Sequence, residues 1–178
     1  MTEVRFLSGA NRFMKKGFTL IEILVVIAII GLLAVSAVYS YQRARQAAYL
    51  AAAKDELRSI AQALHLYLND YGSYPADTSR DIPPGLEVYL APGLWPDAPW
   101  PGSVFDWDNW TDTATGQKIY QGSIRFCPVG HPEQCRFPQT DWAANFDINS
   151  SVYYCLEGPC RAHVDKSATH PGLCVNCK

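Results

Sequence analysis

No stretch of this chain gathers lysine and arginine. Its 15 basic residues are spread against 17 acidic ones, for a formal net charge of -2, whereas neutralising a phosphate backbone needs clustered cations. Nucleic-acid binding is excluded for the bulk of the chain. The catalytic inventory is equally thin: the four histidines have no nucleophile and acid arranged around them, and neither a G-x-S-x-G turn nor a glycine-rich phosphate loop occurs. The sequence reads as a non-enzyme that needs no cofactor. Cysteine is missing before residue 127, and all six lie at 127, 135, 155, 160, 174 and 177.

What is present is one concentrated block of hydrophobicity. The chain has 178 residues and 48% hydrophobic content, enough for one domain with a modest core, and the unbroken apolar run sits between Phe18 and Val38. Residues 1–17 lead into it with Arg5, Arg12, Lys15 and Lys16 against Glu3. The run has about the 20 residues that cross a hydrocarbon core as a helix. Its basic flank stays cytoplasmic by the positive-inside rule, which puts everything after Val38 outside the cytoplasm. A cleaved secretory signal is the rival reading, but the run is too long for an h-region and no A-x-A site follows it. A plain signal anchor is the second rival. Glu22 separates them, because a carboxylate in an apolar helix costs several kcal/mol unless it finds a cation or snorkels to the headgroups. A cut between Gly17 and Phe18 creates an α-amino group close to that depth.

The block Lys15-Lys16-Gly17-Phe18-Thr19-Leu20-Ile21-Glu22 resembles the class III signal of type IV prepilins and type II secretion pseudopilins. The resemblance implies cleavage after Gly17 by a prepilin peptidase on the cytoplasmic face and N-methylation of Phe18. It also implies pairing of Glu22 with the terminal amine of a neighbouring subunit during assembly. Many members of that family break the helix with a proline where this chain has Tyr39, so only Gly31 is left to loosen it, glycine being up to about 1 kcal/mol worse than alanine in a helix.

From Tyr39 to about Asp70 the composition is helical, with no proline or glycine before Gly72. Ala53, Leu57, Ile60, Leu64, Tyr67 and Tyr71 recur every three or four residues and form one apolar stripe. The rest of the chain must cover that stripe. Gly72 and Pro75 close the helix, and the Tyr67–Pro75 string also resembles the pilin family. The resemblance reaches from Lys15 to about Pro75. Residues 76–115, rich in Pro, Gly, Asp and Trp, read as a long ordered loop. Trp95, Trp100, Trp107 and Trp110 argue against disorder and are expected to clamp that loop onto the sheet. Strand-like runs follow at 118–126 and 150–156. The expected fold is α+β and pilin-like: a long N-terminal α-helix, transmembrane then amphipathic, on a small antiparallel sheet with a disulfide-rich C-terminus. Its parts are a leader (1–17), a transmembrane and assembly helix (18–38) and an extracytoplasmic headgroup (39–178) with an amphipathic helix over 39–71.

The six cysteines of an exported chain read as disulfides. Local pairs are preferred, Cys127 with Cys135 and Cys155 with Cys160. Cys174 and Cys177 enclose so short a loop that they are expected to reach other partners. The alternative is a four-ligand zinc site from Cys155, Cys160, Cys174 and Cys177, with His163 and His170 between. Asp106, Asp108 and Asp112 are secondary calcium candidates, though the glycine and distal glutamate of an EF-hand are missing and a solvated acidic turn is the plainer reading. Calcium in the headgroup is a property of the major type II secretion pseudopilins, so this motif bears on the branch. Asn109 and Asn149 fit the glycosylation sequon, a pattern that often arises by chance.

The leading functional expectation is a type IV pilus subunit, implied by the resemblance. Its partners would be prepilin peptidase, the inner membrane, the pilus assembly machinery and copies of itself in a helical extracellular filament, with DNA contacted only by the assembled filament. The alternatives are a pseudopilin of a type II secretion or competence system and a membrane-anchored zinc or redox module using Cys174-x-x-Cys177.

Overall fold

The computed structural model describes residues 17–177 apart from 92, 114, 129–133, 145, 147–149 and 163–171. The basic residues of the leader, His163, His170 and Asn149 therefore lie outside the described residues. The chain divides into two compact units, one up to Tyr41 and one from Gln42 onward. Helix α1, Leu20–Tyr71, contributes to both.

In the first unit α1 is apolar on every side. Its most hydrophobic window has a mean hydropathy of 2.9, and none of it is buried by the rest of the chain. Leu20, Ile21, Ile27, Ile30 and Leu33 are all more than half exposed. A helix hydrophobic all round needs an apolar surrounding to be stable, and its length and composition suffice to cross a bilayer.

In the second unit the same helix becomes one-sided. Ala53, Leu57, Ile60 and Leu64 are essentially inaccessible to solvent, while Leu66 on another face is exposed. The stripe expected from spacing is thus buried through Leu64 and half-buried at Tyr67. Its last residue, Tyr71, stays at the surface with its ring 4.4 Å from that of Tyr67. Gly72 ends the helix with φ +73°, and its N–H donates to the Leu68 carbonyl at 2.8 Å. This is the left-handed C-terminal cap.

The stripe is covered by a four-stranded sheet in the order β1-β2-β3-β4. The strands are β1 Val104–Thr111, β2 Lys118–Arg125, β3 Ser150–Glu157 and the two-residue β4 Leu173–Cys174. The first three pair antiparallel, whereas β4 runs parallel to β3, so the sheet is mixed rather than purely antiparallel. Strand β1 also corrects the long-loop reading of 76–115. Val104-Phe-Asp-Trp-Asp-Asn-Trp alternates with period two, and that alternation outweighs the turn-rich composition around it. Phe105, Trp107, Ile124 and Val152 join the core with Leu57, Ile60 and Leu64. Gly122, opposite Trp107, lets the helix approach: a Cβ there would touch Leu57 and Ile60 at 3.5 and 3.6 Å.

The tryptophans divide their work. Trp107 lies within β1 and is fully buried, donating its indole N–H to the Pro75 carbonyl at 3.1 Å. Trp95 donates to the Phe105 carbonyl at 3.0 Å and clamps its loop to the sheet. Trp100 clamps to the helix instead, through Gln46 Oε1 at 2.9 Å and an edge contact with Tyr49.

Two substitutions test this account in the detergent-solubilised chain. Leu57→Ala is expected to cost about 2–5 kcal/mol in denaturant unfolding, and Leu66→Ala less than about 1 kcal/mol. Equal losses at the two sites would mean that the sheet does not cover the stripe. Gly158 has φ +88°, and a Cβ there would run into the Lys118 carbonyl. Gly158→Ala should therefore lower the melting temperature clearly, whereas Gly17→Ala, with nothing within 4 Å, should leave it unchanged.

Candidate functional site

The first turn of α1 is built around Thr19 and Glu22. The Thr19 carbonyl accepts the Ile23 N–H at 3.3 Å, which makes Thr19 the N-cap. Its hydroxyl accepts the Glu22 N–H at 3.3 Å. In return, Glu22 Oε2 accepts the Thr19 N–H at 2.8 Å and the Thr19 hydroxyl at 2.7 Å. This reciprocal arrangement is a capping box, in which Thr-x-x-Glu satisfies donors that a helix start leaves without partners. The Thr-x-x-Glu signature of this box stands in the sequence at 19–22, yet the family resemblance pointed to a partner for Glu22 on another subunit rather than to Thr19.

Gly17 and Phe18 precede the cap as exposed, non-helical chain. Gly17 has no positive φ, and an added Cβ would meet nothing within 4 Å, so the fold itself makes no demand for glycine there. Phe18, Ile21, Val25 and Val26 surround Glu22 with apolar surface. The segment therefore presents a bond accessible to cutting, a preorganised carboxylate and an apolar collar around it.

The calcium candidates occupy a different environment from a solvated turn. Asp106 and Asp108 lie on the face of β1 turned away from α1, and with Asp112 just beyond the strand they are almost wholly buried. Arg125 of β2 bridges Asp106 and Asp108, with 3.0 Å to Asp108 Oδ1. Asp108 Oδ2 accepts from the Ser123 hydroxyl at 2.7 Å and the Gln121 amide at 3.1 Å. Asp112 takes both terminal nitrogens of Arg161, at 3.0 and 3.3 Å. The Asp106 carboxyl is pushed up by burial and by Asp108, against the pull of Arg125 and the Arg80 N–H. These oxygens are thus directed at guanidinium groups, as a buried carboxylate requires. Arg125 lies 19 and 17 residues from Asp106 and Asp108, and Arg161 lies 49 from Asp112, beyond what local spacing reveals.

The cysteines form three bridges, Cys127–Cys135, Cys155–Cys160 and Cys174–Cys177. The last corrects the expectation that Cys174 and Cys177 reach elsewhere. Pairing of β4 with β3 places both in one short turn, where they are each other's nearest partners. With the sulfurs of all four zinc candidates in disulfides, no thiolate among them is free to ligate a metal. Of the two glycosylation candidates, Asn109 lies in β1 with its amide donating to the Pro75 carbonyl at 2.6 Å.

Comparison with known proteins bears on the first of these sites. Residues 12–38 match the family described as the prokaryotic N-terminal methylation motif. The chain is also 40% identical over 66 residues to the type II secretion system core protein G of Pseudomonas aeruginosa. That similarity covers 37% of this chain and 46% of the relative, so the chain spans about half of the protein it resembles. No solved structure matches.

The ion-pair network yields a prediction of its own. Arg125→Met should cost about 3–5 kcal/mol, because it leaves Asp106 and Asp108 buried without their cation. Adding Asp106→Asn and Asp108→Asn should recover part of that loss. Calcium added to chelator-treated wild-type protein should leave its melting temperature unchanged, and a calcium-dependent rise would show these carboxylates turning from arginine to an ion.

Proposed function

We propose that this chain, which carries the methylation motif and the pilin-like fold of the pilins and pseudopilins, is a pseudopilin-type structural subunit that assembles with copies of itself into an envelope-spanning filament. The observation that carries the reading is Glu22 fixed in the first turn of an unburied apolar helix, directly after an exposed Gly17–Phe18 bond. The helix holds the precursor in the inner membrane as a single pass. Prepilin peptidase then removes residues 1–17, and the new amine of Phe18 is methylated. A cationic amine so made lies one helical turn from Glu22, and on an adjacent copy it supplies the counter-charge that the apolar surroundings withhold. The headgroup from Gln42 onward takes no chemical part, and the role is structural rather than enzymatic.

The secretion branch is favoured because the relative at 40% identity is a type II secretion core protein. A second reading, a type IV pilus subunit, is favoured by the three disulfides of the headgroup, which suit a subunit displayed at the cell surface. Deleting the gene and analysing both the secreted proteins and the cell surface separates them. Loss of secreted proteins without loss of surface filaments supports the pseudopilin, and the reverse supports the pilus.

Mass spectrometry of the native protein is expected to find a mature chain beginning at a methylated Phe18, and a bulky residue in place of Gly17 should leave the leader attached. An intact leader in the native protein would remove the basis of the assignment. Glu22→Ala should remain in the membrane yet enter filaments at least about tenfold less, the loss expected when one charge pair of about 1.4 kcal/mol is removed per subunit. Filaments formed as readily as in wild type, with processing unchanged, would show that Glu22 pairs with no neighbour.

A further inference from the structure

The three disulfides differ in exposure and in what they hold. Cys127 is buried, Cys135, Cys155, Cys160 and Cys174 are partly covered, and Cys177 is exposed. The Cys174–Cys177 bridge spans a sequence separation of 3, against 5 and 8 for the others. The shortest loop restrains the unfolded chain least, so opening this bridge costs the fold least.

Within that small ring sits Asn176, whose side chain acts as a strand partner for Cys155 in β3. Its Oδ1 accepts the Cys155 N–H at 2.8 Å and its Nδ2 donates to the Cys155 carbonyl at 2.7 Å. One residue earlier, the Val175 N–H donates to the Tyr153 carbonyl at 2.9 Å. The ring therefore closes the outer edge of β3 beyond the two residues of β4, with an amide side chain standing in for backbone.

We propose that Cys174–Cys177 is an exchangeable disulfide, opened by an extracytoplasmic dithiol, and that its opening releases Asn176 and bares the outer edge of β3. A thiolate of the dithiol attacks the exposed Sγ of Cys177. The S–S bond breaks, and Cys174 leaves as thiolate into the Cys177 N–H, which lies 3.1 Å from its sulfur. A hydrogen bond of that kind stabilises the leaving thiolate and speeds exchange. The second thiol of the dithiol then attacks the mixed disulfide and releases Cys177. Two electrons and two protons pass to Cys174 and Cys177, and the dithiol becomes a disulfide.

The test uses the full chain in detergent, with dithiothreitol as the reductant and alkylation followed by peptide mapping as the readout. Cys174 and Cys177 should be alkylated at a dithiothreitol concentration about tenfold below that needed for the other four. If either other bridge opens at the same or a lower concentration, the proposal fails. Amide hydrogen exchange at Cys155 supplies the second measurement. It should quicken about tenfold when the bridge alone is opened, and by a similar factor in Asn176→Ala with all bridges intact. Unchanged exchange at Cys155 after selective opening would show that the ring does not hold the edge.

Discussion

One continuous helix has to satisfy two solvents. Up to Tyr41 the large apolar side chains of α1 are exposed, and from Ala53 to Leu64 a narrow stripe is sealed completely. Nearly everything in the headgroup follows from that second requirement. A stripe of small and branched side chains needs a flat apolar partner, and the sheet supplies one through Phe105, Trp107, Ile124 and Val152, with Gly122 set where the helix comes nearest. The turn after the helix is bound into the same surface, since Pro75 accepts hydrogen bonds from both Trp107 and Asn109 of β1.

A sheet with a helix on one face has a second face to protect. Its polar groups are paired there: Arg125 of β2 sits between Asp106 and Asp108, and Arg161, from the irregular chain after β3, holds Asp112. Gln121 holds the Arg161 backbone from both sides, its amide donating to the carbonyl at 2.8 Å and its oxygen accepting the N–H at 3.1 Å. Such buried ion pairs add little net stability, because desolvation offsets most of their attraction. What they provide is position: a covering segment with no ladder of its own is fixed at defined points. The disulfides act on the same segments, which explains why all six cysteines fall after β2.

The helical third of the chain was legible because its signals are local. A basic flank, an apolar run, one carboxylate and a stripe at helical spacing need no knowledge of distant residues, and they led to the helix, its buried stripe down to Leu64 and its cap at Gly72. The headgroup was legible only where a strand stood apart from turn residues, as in β2 and β3. Strand β1 was lost among prolines and glycines although Phe105 and Trp107 alternate with Asp106 and Asp108. Those aspartates read as a solvated acidic turn, with calcium the secondary alternative, because their true partners come from another strand and from the C-terminal region. The pairing of Cys174 with Cys177 depends on β4 lying beside β3, a two-residue strand that no sequence pattern announces.

The capping box adds a step to the energetics of the proposed assembly that the sequence alone did not suggest. In the single chain Glu22 is not idle: it accepts two hydrogen bonds from Thr19, which reduces the penalty of holding a carboxylate among Phe18, Ile21, Val25 and Val26. In the proposed filament a neighbour's amine would therefore compete with an existing partner. Neutral donors contribute only about 0.5–1.5 kcal/mol each, whereas opposite charges brought together away from water attract far more strongly than in water. The exchange is favourable only where apolar helices have excluded solvent and only where a charged amine is present. Before any cut the Phe18 nitrogen is part of a peptide bond and carries no charge. Thr19 holds Glu22 in its own helix, and on the proposed function it would do so until cleavage supplied a stronger partner, tying assembly to processing through electrostatics.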